Sequence, residues 1–126
     1  MIKSFHHLDM EPASCLEFRR VLFRSIEDSL SAIIADFDFS NRYVLRKSQY
    51  DAFYKTDLED NLNKQGVSQI VISGVMTHLC CETTARSAFV RGFEIFFLIN
   101  GTATYNKEHH MAALLNLSNV DRKSVV

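Results

Sequence analysis

Two short apolar runs constrain this chain more than any other feature: VSQIVIS at Val67–Ser73 and FEIFFLI at Phe93–Ile99. Each has strand length, is rich in β-branched or aromatic residues, and is bounded by glycine or an Asn–Gly pair. That is the pattern of a strand buried on both faces. Between them, from about Leu79 to Arg91, runs a helical segment closed by Gly92. Ahead of the first run, Thr56 or Asp57 caps a helix in which Leu58 and Leu62 stand four apart and which ends at Gly66. Behind the second, Asn106 or a neighbour opens a helix through Leu117. Tyr43–Arg46 is a further short strand, and Ile26–Asp36 a further helix with Ser25 as its cap. Helix, strand, helix, strand, helix with short connections predicts βαβ units. The fold class is α/β, a Rossmann-like parallel sheet in three layers with helices on both faces. Gly74–Cys80, a turn running into a helix at the carboxyl end of a strand, is where such sheets bind ligands.

With 126 residues there is room for one domain. A hydrophobic content of 47% with one proline and four glycines excludes a disordered or collagen-like chain. The net charge of −1 gives no basic footprint for nucleic acid. No apolar run approaches the ~20 residues of a membrane span. The first fifteen residues carry His6, His7, Asp9 and Glu11 and do not read as a signal peptide. Three cysteines is an odd count, and Cys80 and Cys81 are adjacent, a poor geometry for bridging each other. A reduced, cytoplasmic setting is the simplest reading.

Two segments read as something other than natural protein. Glu17–Ser25, within LEFRRVLFRS, back-translates to GAG TTC AGA CGT GTG CTC TTC CGA TCT, which looks like a short-read sequencing adapter. The terminal Asp121–Val126 back-translates to GAT CGG AAG AGC GTC GTG, whose start is the reverse complement of the codons for Leu22–Ser25. Inverted adapter stems on both sides of an insert are what untrimmed reads give. Residues 16–25 and 121–126 are therefore set aside, residues 1–15 stay unassigned, and residues 26–120 are taken as a partial domain. That part holds eight Lys/Arg and eleven Asp/Glu, a charge of 8 − 11 = −3.

Cys80 falls in the first turn of its helix, where unpaired N–H groups and the helix dipole stabilise a thiolate. It is a candidate nucleophile, against the plainer reading of a small core residue. Cys81 points elsewhere and reads as core. Lys47 follows a strand and, taken alone, reads as solvent-facing. In a site it could orient a carboxylate and support developing charge. His78, His109 and His110 show none of the CxxC, HxH or HExxH spacings of metal ligands. No glycine-rich phosphate loop is present.

Together, VISGVMTHLCCETTARSAFVRGFEIFFLINGTATYNKEHHMAAL and RKSQYDAFYKTDLEDNL resemble the isochorismatase-like cysteine hydrolase family. The first segment carries Gly74, Val75, Thr77, Cys80, Thr84, Ala85, Ala88, Gly92, Phe93, His110, Ala113 and Leu114 of the family pattern. The second carries Lys47, Tyr50, Ala52, Phe53, Thr56 and Leu58. The resemblance implies a Cys–Lys–Asp triad with Cys80 as nucleophile and Lys47 beside it. It implies a cis peptide at Val75–Met76 and an oxyanion hole from the N–H groups of Met76 and Cys80. Thr77 and Phe53 are assigned to the substrate pocket. The implied reaction is cleavage of a C–N amide-type bond in a small molecule through a thioester, related to that of nicotinamidases. Vinyl-ether hydrolysis of isochorismate and a non-catalytic assembly role are the alternatives. No cofactor is expected, although some relatives use a metal. A small-molecule substrate is the expected partner, with no nucleic acid and no membrane, and the full-length protein could form a homo-oligomer.

One family feature is missing from the sequence: a strand of three apolar residues followed by Asp-Met-Gln, some tens of residues before the lysine. AIIAD at Ala32–Asp36 mimics it, but Asp36 lies too close to Lys47, as does Asp38, and His6, His7 and Asp9 do not supply it. The expectation is an inactive fragment, with the edge of the Val67–Ser73 strand uncovered and poor solubility as a result.

Overall fold

The computed structural model describes residues 2–5, 22–24 and 43–119. The expected Ile26–Asp36 helix, Asp36, Asp38, Asp9 and the 121–126 tail lie outside the described residues. Among the described residues, five strands and three α-helices follow in chain order: β1 (Ile2–Phe5), β2 (Leu22–Arg24), β3 (Val44–Arg46), α1 (Leu58–Lys64), β4 (Gln69–Val75), α2 (Glu82–Val90), β5 (Glu94–Ala103) and α3 (Lys107–Ser118). A π-helical turn, Thr77–Cys81, leads into α2.

β4 and β5 pair in parallel from Gln69↔Glu94 to Ile72↔Phe97, with α2 as the crossover, so the expected βαβ unit is present. β2 and β3 pair in parallel in a separate small sheet. The interior faces of β4 and β5 supply Ile70, Ile72, Ile95 and Phe97. These pack with Leu58 and Leu62 of α1, Ala85 and Ala88 of α2, and Leu114 and Leu117 of α3.

The helix ends follow the glycines. Gly66 at φ 66° and Gly92 at φ 87° stand just past α1 and α2, in the left-handed region that costs a side chain most. At α1, Gly66 N–H donates to Asn63 O at 2.9 Å and Val67 N–H to Leu62 O at 3.0 Å. At α2, Gly92 N–H donates to Phe89 O at 2.9 Å and Phe93 N–H to Ala88 O at 3.1 Å. Both are Schellman closures, and each sends the chain straight into the next buried strand. At the start of α3, Asn106 Oδ1 accepts from His109 N–H at 2.9 Å, the expected cap.

Three features differ from the sequence reading. First, β4 runs on through Gly74 and Val75, where a turn was expected. Second, Asn100–Gly101 does not end β5 but sits in a bulge within it. Between Ile72↔Phe97 and Gly74↔Thr102 the ladder advances two residues on β4 and five on β5. A Cβ on Gly101 would stand 2.8 Å from Leu98 Cβ and 3.2 Å from Ser73 Cβ, so the bulge is closed tightly enough to require glycine. Third, the edge of β4 is not bare. β1 pairs with it antiparallel, from Ile2↔Ile72 to Phe5↔Gln69. Backbone donors and acceptors of an edge accept any extended segment, and the expectation of an uncovered edge is corrected accordingly.

Phe97 is fully buried at the centre of this core, whereas Val90 is 81% exposed on α2. Phe97→Ala is expected to lower stability by about 3–5 kcal/mol and Val90→Ala by less than about 0.5 kcal/mol, read from urea denaturation midpoints. Equal losses would place the core elsewhere.

Candidate active site

Three elements converge at the carboxyl end of β4. The strand ends at Val75, the Val75–Met76 peptide is cis, and the chain turns into the π-helical segment. Met76 O accepts from Leu79 N–H and, five residues on, from Cys81 N–H, both at 3.2 Å. The helix therefore starts at Thr77, two residues earlier than its periodicity suggests, with one wide turn before α2. Cys80 lies in that wide turn and is half-buried.

Lys47 follows β3 and is only 8% exposed, a rare state for a lysine. Its Nζ donates to Gln49 O at 2.6 Å, to Tyr50 O at 3.3 Å and to Cys80 Sγ at 3.4 Å. Two of these acceptors are carbonyls of its own loop, and the other is the thiol sulfur. The four-carbon stem is thus ordered by its own backbone before it reaches the cysteine.

That loop is tied to α2 by groups to which the sequence reading gave no role. Thr84 Oγ1 donates to Tyr50 O at 3.2 Å and accepts from Ala52 N–H at 3.1 Å. Asp51 Oδ1 accepts from Phe53 N–H at 2.9 Å, and Asp51 Oδ2 accepts from Ser87 Oγ at 2.7 Å. Thr56 Oγ1 donates to Ala52 O at 2.6 Å. The one local signal was Asp51 itself, placed to accept from the backbone two residues on. The partners on α2 lie more than thirty residues away in the chain.

The remaining site candidates are distributed as follows. Val75 is 66% exposed at the strand end, and Met76 is half-buried beside it. Thr77 is fully buried, with Oγ1 3.0 Å from His110 Nδ1, so its side chain is turned toward α3. Phe53 packs in the core, stacked on Phe93 at 5.9 Å, with the Arg91 guanidinium 4.8 Å from its ring centroid. His78 Nδ1 lies 2.7 Å from Thr104 Oγ1, and its ring stacks on His109 at 4.6 Å. Among the described residues no three His, Cys, Asp or Glu side chains cluster as metal ligands. Among the described residues, too, no helix is long and apolar enough to cross a membrane.

The two adjacent thiols sit in different environments. Cys81 is buried among core residues, and that burial pushes its thiol up to about 11. Cys80 Sγ faces the Lys47 ammonium.

Residues 18–123 match the isochorismatase domain family. Nicotinamidase 3 of Arabidopsis thaliana is 53% identical over 75 residues, which is 60% of this chain and 38% of that protein. The chain thus spans less than two fifths of that relative's length. An isochorismatase-like hydrolase from Alkaliphilus metalliredigens superposes with a TM-score of 0.77 at 24% identity, covering 86% of this chain and 65% of that one. It attests the fold. A pyrazinamidase of Pyrococcus horikoshii, solved in complex with zinc, superposes with a TM-score of 0.68 at 26% identity, covering 76% of this chain and 56% of that one.

Two measurements check the thiol assignment. Near pH 7, a thiol with a pKa of about 11 is ionised to only about one part in ten thousand, so iodoacetamide is expected to label Cys80 well ahead of Cys81 by peptide mass spectrometry. Raising a thiol from 9.0 to about 11 on folding favours the protonated form in the native state. Its contribution is complete below pH 9.0 and is lost as pH rises toward 11. Cys81→Ala is therefore expected to flatten the fall in stability across that window, a fall of about 1–3 kcal/mol. An unchanged slope would contradict the burial argument.

Proposed function

This chain belongs to the isochorismatase family of hydrolases, and on that premise we propose that it is the cysteine-bearing part of an amidohydrolase. Its substrate would be a small amide of the nicotinamide, carbamoyl or ureido kind. The observation that carries the reading is the Lys47 Nζ–Cys80 Sγ contact of 3.4 Å at the carboxyl end of β4. The 53% identity to a nicotinamidase over 75 residues supports amide rather than vinyl-ether chemistry.

In this reaction Cys80 Sγ, as the thiolate, attacks the amide carbonyl carbon. A C–S bond forms, and the carbonyl oxygen becomes an oxyanion held by the N–H groups of Met76 and Cys80. Collapse breaks the C–N bond and releases ammonia or an amine, which takes up a proton. Water then adds to the thioester, the C–S bond breaks, and the carboxylic acid leaves. Lys47 holds a positive charge beside the sulfur throughout and stabilises the thiolate and the transition states. Val75 and Thr77 frame the turn that presents these groups.

A general base is also needed to take the thiol proton, and the aspartate-ended strand that supplies it in the family pattern is not among the sequence motifs. β1 does not replace it: the chain leaves β1 at Phe5, paired with Gln69, at the opposite end of β4 from Val75. The 126-residue chain is therefore expected to turn over several orders of magnitude more slowly than a protein with the full triad. The same reading keeps residues 26–120 as the hydrolase part and treats 16–25 and 121–126 as translated adapter. β2 falls inside the former segment, but three residues of backbone pairing with β3 place little demand on sequence.

Ammonia release from nicotinamide tests the reaction. Residues 43–117 grafted in place of the matching stretch of the Arabidopsis nicotinamidase are expected to support hydrolysis. Cys80→Ala in that graft is expected to reduce it by about a thousandfold or more. Undiminished turnover in Cys80→Ala would sink the proposal. Sequencing the source DNA across the Ser25/Ile26 junction tests the boundary: the adapter codons are expected to vanish, and their persistence in genomic DNA would overturn it.

A further inference from the structure

We propose that Thr84 is a positioning residue that sets the Lys47 ammonium against Cys80. The inference rests on the reading of Cys80 and Lys47 as the reactive pair, and it assigns a role one step behind them. Thr84 stands four residues after Cys80, so both present to the same loop from successive turns. Tyr50 O accepts from Lys47 Nζ at 3.3 Å and from Thr84 Oγ1 at 3.2 Å. One carbonyl therefore links the ammonium to the helix that carries the thiol.

The same hydroxyl oxygen accepts from Ala52 N–H at 3.1 Å. A threonine hydroxyl can donate one bond and accept others, and here it does both toward one loop. Donation fixes the Tyr50 carbonyl and acceptance fixes the Ala52 amide. The loop is thus clamped at two backbone groups that flank Asp51. Thr84 is 1% exposed and Ala52 is fully buried, so water does not substitute readily for either bond. Asp51 and Ser87 add a second tie one turn further along α2.

Without the hydroxyl, Tyr50 O loses its fixed partner and Lys47 loses a fixed acceptor. The ammonium keeps its bond to Gln49 O at 2.6 Å, but with Tyr50 O no longer held its position against Sγ loosens. Both hydrogen bonds of the Thr84 hydroxyl go to the Lys47 loop, so its effect on Cys80 passes through Lys47. That route separates a positioning role from a merely structural one, because the effect must disappear when Lys47 is gone.

The test uses the 126-residue chain and the rate of iodoacetamide alkylation at Cys80, with circular dichroism melts on every variant. Lys47→Met is expected to slow alkylation by about tenfold through loss of the cation beside the thiolate. Thr84→Val is expected to slow it by about threefold to tenfold, and Thr84→Ser, which keeps the hydroxyl, to hold within about twofold of the parent. Added to Lys47→Met, Thr84→Val is expected to cause no further loss. Thr84→Ala removes the same hydroxyl without placing a methyl against the loop, and it decides the matter if Thr84→Val does not fold. If Lys47→Met leaves the rate unchanged, the reading of the reactive pair fails. If Lys47→Met slows it but Thr84→Val and Thr84→Ala do not, or if their effect persists in full without Lys47, the positioning role alone is overturned.

Discussion

A lysine ammonium held 3.4 Å from a cysteine sulfur is the interaction on which the rest of this structure turns. Neither group gets there by itself. The thiol is delivered by β4, which ends at an exposed valine and passes through a cis peptide into a wide π-helical turn. The ammonium is delivered by a loop after β3 that folds back on its own carbonyls. Burying a lysine is costly unless its protons find acceptors, and here two carbonyls and the sulfur are among them.

The sheet makes that meeting reproducible. Parallel pairing of β4 with β5 requires a crossover helix, and α2 is that helix, so Cys80 is fixed to the same core as Ile70 and Phe97. The α2 residues that face the Lys47 loop are small and polar: Thr84 and Ser87 reach its backbone and its Asp51. One helix thus packs on the sheet with Ala85 and Ala88 and restrains the Lys47 loop with its hydroxyls.

Much of this was legible in the chain. The apolar runs announced β4 and β5 as strands; β4 is buried on both faces from Ile70 to Ser73, whereas β5 buries only Ile95 and Phe97 of its run and leaves Phe96 and Leu98 half-buried and Ile99 exposed. Gly66 and Gly92 announced helix ends because a residue in the left-handed region with a close-following buried side chain favours glycine. Asn106 announced α3 through its capping side chain. The π-helical start at Thr77 was not legible, because one extra residue in a turn leaves the apolar pattern almost unchanged. Asn100–Gly101 misled, since the pair that ends a strand in one setting forms a bulge in another, and only the Leu98 and Ser73 contacts distinguish the two. The clamp from Thr84 and Asp51 was also hidden. It joins groups more than thirty residues apart by side-chain to backbone bonds, which leave no periodicity. Lys47 and Cys80 entered as a pair only through family resemblance, since nothing in their own spacing brings them together.

The central claim, that Lys47 and Cys80 form one reactive pair, can be tested with o-phthalaldehyde. This reagent gives a fluorescent isoindole when a single molecule bridges an amine and a thiol. An isoindole is expected that maps by peptide mass spectrometry to Lys47 and Cys80 and is lost in Cys80→Ala. No isoindole in the folded chain, or one that maps to a different amine and thiol, would contradict it.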